Sequence, residues 1–160
     1  MSQKNIDREI VEELRKARIE FLKSRPKMSE NLEKELLDKF KEIFHSEKPS
    51  SKSLMSYGFS CNDGWFELIF DLCQDLMALA KKSGTTFEVV QVKQKFGKLH
   101  FYTRNTTDEM FRRIKQAELD SLTICELCGN PGTLYSSKGW LKTLCETHAK
   151  KLQYFKKEKK

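Results

Sequence analysis

Cys125-Glu-Leu-Cys128-Gly-Asn-Pro-Gly132 is followed, with sixteen residues between Cys128 and Cys145, by Cys145-Glu-Thr-His148. Two donor pairs, each spaced by two residues, suit a tetrahedral Zn²⁺ site, because that spacing folds both donors of a pair toward one point about 2.3 Å from the metal. Gly129 supplies permissive backbone just after the second thiol, and Pro131-Gly132 turns the chain. Between the pairs, Thr133-Leu134-Tyr135 and Trp140-Leu-Lys-Thr-Leu144 are expected to form a small hairpin through Ser136-Ser137-Lys138-Gly139. Cys145 and His148 then fall in the first turn of a C-terminal helix, where residues three apart share a face. Cys125, Cys128, Cys145 and His148 would saturate tetrahedral zinc and leave no position for an activated water, so the predicted role is structural. A thioredoxin-like CxxC is the alternative, but it would not require the second Cys and His at matching spacing.

Working toward the N-terminus, Thr106 or Thr107 can cap a helix with Asp108 and Glu109 in its first turn and Met110, Phe111, Ile114 and Ala117 on its apolar side. Before it, Thr85 to Lys93 and Leu99 to Thr103 are β-rich runs joined by Lys95-Phe96-Gly97-Lys98, a hairpin signal. In the first run Phe87, Val89 and Gln91 are expected on one side, with Val90 and Val92 on the other. In the second, Leu99, Phe101 and Thr103 oppose His100 and Tyr102. From about Gly64 to Lys82, capped by Asn62 or Asp63, Trp65, Phe66, Ile69, Leu72, Cys73, Leu76 and Ala80 form the wide stripe of a core helix. Cys73 belongs to that stripe as a buried thiol, while Cys61 lies in the loop before it.

The first fifty residues contain two amphipathic patterns: Ile6, Ile10, Leu14, Ala17 and Phe21, with Val11 and Leu22 widening the stripe, then Leu32, Leu36, Phe40, Ile43 and Phe44 after a Ser29 cap. Arg25-Pro26 separates them, and His45 ends the second. The pattern predicts a helical hairpin whose apolar faces either pack on the rest of the chain or make a homodimer. Pro49-Ser-Ser-Lys-Ser marks a boundary. The expected architecture is α+β: a helical hairpin (1–50), a helix–β-hairpin–helix core (51–122), and a zinc module with a basic C-terminal tail (123–160).

A length of 160 residues leaves no room for two full enzyme domains. Apolar residues make up 38% and charged ones 33%, yet eleven Phe, four Tyr and two Trp exclude a wholly disordered chain. Charge interrupts every apolar run, so no membrane span or signal peptide is read, and a cytoplasmic location is expected. An odd count of five cysteines in such a compartment argues against a disulfide scaffold.

The net charge of +7 resolves into two blocks, residues 76–115 and 138–160, each net +6, separated and preceded by acidic stretches. In the first block Lys93, Lys95, Lys98, His100, Tyr102 and Arg104 interleave cations with an aromatic, and Arg112 and Arg113 follow on the next helix. Cations beside aromatics suit a phosphate-rich ligand, nucleic acid or nucleotide, although Lys-rich strands also serve solubility alone. His100 reads either as a phosphate contact or as a solvated strand residue. The second block ends in Lys156-Lys157-Glu-Lys159-Lys160, a tail able to strengthen any polyanion contact. No GxSxG, P-loop, HExxH or deaminase HxE…PCxxC is present, and Asp71 and Asp75 fall on the polar side of their helix. Binding without catalysis is the expected function, with a small hydrolase as the remote alternative.

The order of knuckle, hairpin and ligand-bearing helix over residues 124–154 resembles the treble-clef zinc domains. Gly64-Trp65-Phe66, Val90-Gln-Val-Lys-Gln-Lys-Phe-Gly97, Leu99-His-Phe-Tyr102, Ala117-Glu118 and the Thr123 to His148 motif are together similar to small uncharacterised proteins of bacteriophages and bacterial mobile elements. That resemblance spans residues 64–150, and the chain departs from it at Lys98 and His100, where the family carries a Gly and an Arg. It implies a host-directed role in the host cytoplasm, including counter-defence by binding a host protein or by sequestering a nucleotide signal.

Overall fold

Ile69, Leu72, Cys73, Leu76 and Ala80 recur at three and four residues, and in the computed structural model they line the buried stripe of helix α4 (Phe66–Ser83). The structure describes residues 3–44, 55 and 58–156. Before α4 stands a 3-10 turn, Asp63–Trp65, in place of the α-helical turn expected from Gly64. Neither Asn62 nor Asp63 caps the helix through its side chain; the Asp63 carboxylate instead accepts the Ser29 N–H at 2.7 Å and ties the N-terminal region to this turn. Gly84 ends α4 in the left-handed region, where glycine carries no steric penalty.

Strands β2 (Glu88–Lys95) and β3 (Lys98–Arg104) form the expected hairpin. Its two turn residues, Phe96 and Gly97, have φ of 55° and 77°, the backbone that matches the twist of the flanking strands. A short strand β1 (Phe59–Ser60) adds parallel to β2, giving the order β1-β2-β3. Two residues have no periodicity to read, so this strand was not expected. The register shifts between Val89 and Gln91, so Val89 and Val92 share the buried face, correcting the expected split in which Gln91 sided with Val89. Helix α5 (Asp108–Asp120), capped by Thr107 accepting the Met110 N–H, packs Met110, Ile114 and Ala117 against the same face.

The outer edge of β3 is also closed. Ser121 accepts the Leu99 N–H at 2.9 Å and Glu118 accepts the Phe101 N–H at 3.0 Å, so side chains from the end of α5 take the place of a further strand. Glu118 is buried, with its other oxygen 3.0 Å from Lys115 Nζ.

Helices α1 (Gln3–Ser24) and α2 (Glu30–Lys39) form in the expected places, and α3 (Lys41–Phe44) follows a break at Phe40. Of the expected packing on the rest of the chain, only the second helical pattern shows it among the described residues. Leu36, Phe40, Ile43 and Phe44 join the core cluster around Trp65, Phe59 and α4, whereas every described side chain from Ile6 to Glu20 is exposed, Leu14 at 65%. His45, the Pro49 linker and the tail from Lys157 lie outside the described residues.

Beyond a 3-10 turn at Ser121–Thr123, strands β4 (Thr133–Ser137) and β5 (Trp140–Leu144) make the second expected hairpin, again on two positive-φ residues, Lys138 and Gly139. Helix α6 (Glu146–Leu152) follows, and the chain then returns as β6 (Phe155–Lys156), pairing with β4 to give the order β5-β4-β6. The protein is therefore a mixed helix and sheet fold with two small sheets. No helix among the described residues is long and apolar enough to cross a membrane.

Candidate functional site

The Cys125 to Cys128 knuckle is shaped by its backbone. Gly129 donates its N–H to the Cys125 carbonyl at 2.9 Å with φ 79°, and the Cys125 N–H reaches the Asn130 carbonyl at 2.7 Å. The opposing pair comes from Cys145, the N-cap residue of α6, and His148 in its first turn. The four donor atoms lie within 4.8 Å of one another. Cys128 Sγ and Cys145 Sγ are 3.8 Å apart; His148 Nδ1 stands 3.6 Å from Cys125 Sγ and 3.2 Å from Cys145 Sγ. A tetrahedron with metal–sulfur bonds of about 2.3 Å has sulfur–sulfur edges of about 3.8 Å, so the cluster has the dimensions of a metal site. No cysteine is in a disulfide. The His148 N–H directed at its sulfur lowers the Cys145 thiol to about 7, toward the thiolate a metal needs. Burial raises Cys128, and its two thiol neighbours add to the rise. Three thiolates gathered around one imidazole concentrate negative charge that a bound cation would relieve.

Cys61 and Cys73 are buried in the main core, and burial pushes both thiols upward, well away from reactivity. They take no part in the cluster.

The knuckle is held to the core by Gly64-Trp65. Gly64 donates its N–H to the Glu126 carbonyl at 2.7 Å, and a Cβ on Gly64 would collide with the Cys125 carbonyl oxygen. The indole N–H of Trp65 donates to the Ile124 carbonyl at 2.9 Å. On the other side, Thr143 donates to the Gly97 carbonyl at 2.7 Å and Gln94 to the Leu141 carbonyl at 2.8 Å, so the tip of the β2–β3 hairpin is docked on the second sheet. Between the knuckle cysteines, Glu126 is fully buried and paired at 3.0 Å with Lys142; its burial raises the carboxyl and Lys142 opposes the rise. An acid inside a CxxC is the signal that marks this residue in the sequence.

The basic residues divide. Across the β2–β3 register, Lys93 faces His100 and Lys95 faces Lys98, while Tyr102 stands opposite Gln91. Since side chains alternate, Lys93, Lys95, Lys98, His100, Tyr102 and Arg104 all project from the sheet face opposite Val92, Leu99 and Phe101. Ser60 and Gln91 complete this face, and none of these side chains is buried. The His100 and Tyr102 rings are nearly parallel, with centroids 6.0 Å apart, and Lys93 Nζ lies 5.6 Å from the Tyr102 centroid. Glu88 stands across from Arg104 and is the acid of this face. The grouping of Ser60 and Gln91 with these cations depends on β1 and on the bulge, which local spacing does not encode.

Arg112 and Arg113 are not part of it. They lie on α5, which backs the opposite face of the sheet, and Arg113 Nε donates to Asp75 on α4 at 2.7 Å. Asp75 is therefore an ion-pair partner as well as a solvated helix residue. Comparison of the chain with family models, with curated proteins and with solved structures finds no match.

Proposed function

We propose that the protein is a non-enzymatic binding module, stabilised by a structural zinc in a treble-clef-like unit, that engages a phosphate-rich ligand through the outer face of its first sheet. Zinc is favoured over other metals by three thiolates and an imidazole at tetrahedral separations, a soft donor set that magnesium and calcium do not use. With four protein donors the ion has no open position, which argues for a structural role.

One observation carries the ligand reading. Lys95 and Lys98 are direct cross-strand partners, and Lys93 lies next to Lys95 on the same face. Like charges directly opposite each other destabilise a sheet pair, and no acid from another element is within salt-bridge distance of them among the described residues. An anion relieves that repulsion, and phosphate-bearing ligands suit a cationic face that also carries rings. Titration with single-stranded DNA and with cyclic dinucleotides at two salt concentrations is expected to show binding that weakens with salt and on Lys95→Glu. Salt-insensitive or absent binding defeats this reading.

A second reading has its own observation. Ile6, Ile10, Val11 and Leu14 of α1 form an apolar stripe that the rest of the described chain leaves uncovered, Val11 at 62% exposure. This favours a protein-interaction role, with a second copy or a host protein as partner. Strong capture of one protein in a pull-down that is lost on Leu14→Glu would support it.

A further inference from the structure

Along β3 the aromatic pair His100 and Tyr102 is flanked by cations: Lys93 across the register from His100, Lys98 at one end of the strand and Arg104 at the other, with Lys95 across from Lys98. Alternate residues on a strand stand about 7 Å apart, a separation close to that of successive nucleotides in an extended chain. Resting on the phosphate-ligand reading above, we infer that the ligand class is single-stranded nucleic acid, laid along β3 with a base stacked on the Tyr102 ring and its flanking phosphates on Lys93, Lys98 and Arg104.

Three features separate this from a duplex and from a phosphate-only contact. First, reading the base edges of a duplex requires an element that enters a groove, and this face is a short sheet whose hairpin tip is docked on the neighbouring sheet through Gly97 and Thr143. Second, in a duplex the base faces are already stacked on one another and out of reach of Tyr102, whereas an unpaired base offers a free π-face to any ring. Third, Tyr102 is 40% exposed and sits between cations, whereas a patch serving only phosphates or solubility has no use for an exposed ring. Burial lowers the His100 imidazole from its ordinary value, Lys98 and Lys93 adding to the fall against Glu118 and the Lys95 backbone, which favours the neutral ring beside Tyr102.

The test is fluorescence anisotropy with labelled oligothymidylate and labelled duplex of the same length, with inorganic polyphosphate and a cyclic dinucleotide as competitors. Wild type, Tyr102→Phe, Tyr102→Ala and Lys95→Glu are compared as intact metal-loaded protein. Oligothymidylate is expected to bind more tightly than the duplex. Tyr102→Ala should weaken it roughly five- to a hundredfold, Tyr102→Phe should retain it, and competition by polyphosphate should be unchanged by either substitution. Lys95→Glu should weaken every phosphate ligand. Equal binding of duplex and single strand, a Tyr102→Ala protein that binds oligothymidylate as well as wild type, or tight binding of the cyclic dinucleotide without the strand would overturn the single-strand inference and leave the phosphate-ligand reading standing. No binding of any of the four ligands at low salt would overturn both. Unchanged metal content and thermal midpoint establish that the Tyr102 variants are folded.

Discussion

The two sheets of this protein have the same number of strands and are closed by the same kind of turn, yet they are held by different means. Each has three strands and a hairpin closed by a residue and a glycine with positive φ, Phe96-Gly97 in one and Lys138-Gly139 in the other. Behind the first sheet lies a large apolar cluster: Val89, Val92, Leu99 and Phe101 meet α4, α5, Trp65 and the α2–α3 side chains. Behind the second, among the described residues, the buried apolar cluster is Cys125, Tyr135, Leu144 and Ala149, with Leu127, Cys145 and Tyr154 at its margin. So small a cluster falls short of the burial an independent unit needs, and the four Cys and His donors lie where the missing core would be. Hydrophobic burial is spread over many contacts and degrades gradually; a metal centre concentrates its stabilisation in a few bonds and fails when one is lost.

The sharpest way to break this comparison is to test and remove the proposed metal. One zinc per chain is expected by elemental analysis. Chelation or Cys128→Ser should remove hydrogen-exchange protection from residues 123–156 while α4 and the first sheet remain protected, because structural zinc in small domains contributes on the order of 10–16 kcal/mol. A metal-free protein with full protection of the second sheet would refute the zinc assignment. A smaller effect is expected from the opposite side. Leu76→Ala opens a cavity in the main core, where Leu76 is fully buried, and should lower unfolding stability by about 2–5 kcal/mol with the metal content unchanged. Loss of zinc on Leu76→Ala would show that the two regions fold as one unit.

Finest of all is the seam between them. Thr143→Val removes the donor to the Gly97 carbonyl while keeping the shape of the side chain, leaving a buried acceptor unpaired at a cost of about 1–3 kcal/mol. Denaturant unfolding measures it, and the loss should vanish in the Cys128→Ser background if the docking depends on the folded metal module. The same loss in both backgrounds would mean that the second sheet stays folded and docked without the metal.

Much of this architecture could be read locally. The stripe from Trp65 to Ala80, the two glycine-closed hairpins and the cap at Thr107 all depend on residues within a turn or two of each other. The Cys125 to His148 cluster was equally accessible, because ligand spacing encodes its own geometry. The elements that escaped are the short ones and those defined by a partner. Phe59-Ser60 becomes a strand only because β2 lies beside it, and Phe155-Lys156 only because β4 does. Glu118 and Ser121 close the β3 edge from α5, a role with no signature in their own segment.

The amphipathic N-terminal patterns show where that limit lies. Ile10 and Leu14 on one helix and Leu36 and Phe40 on the next look alike as spacing, but only the second pair is buried. Similarly, charge counting found a basic block at residues 76–115, whereas the pairing of β2 with β3 set six of its residues on one sheet face and placed Arg113 against Asp75 behind it. Periodicity and ligand spacing are properties of neighbouring residues, so the chain alone was enough for the helices, the hairpins and the metal donors. Which faces meet, which edges close and which cations stand together depends on contacts between distant segments, and those exist only once the whole chain has packed.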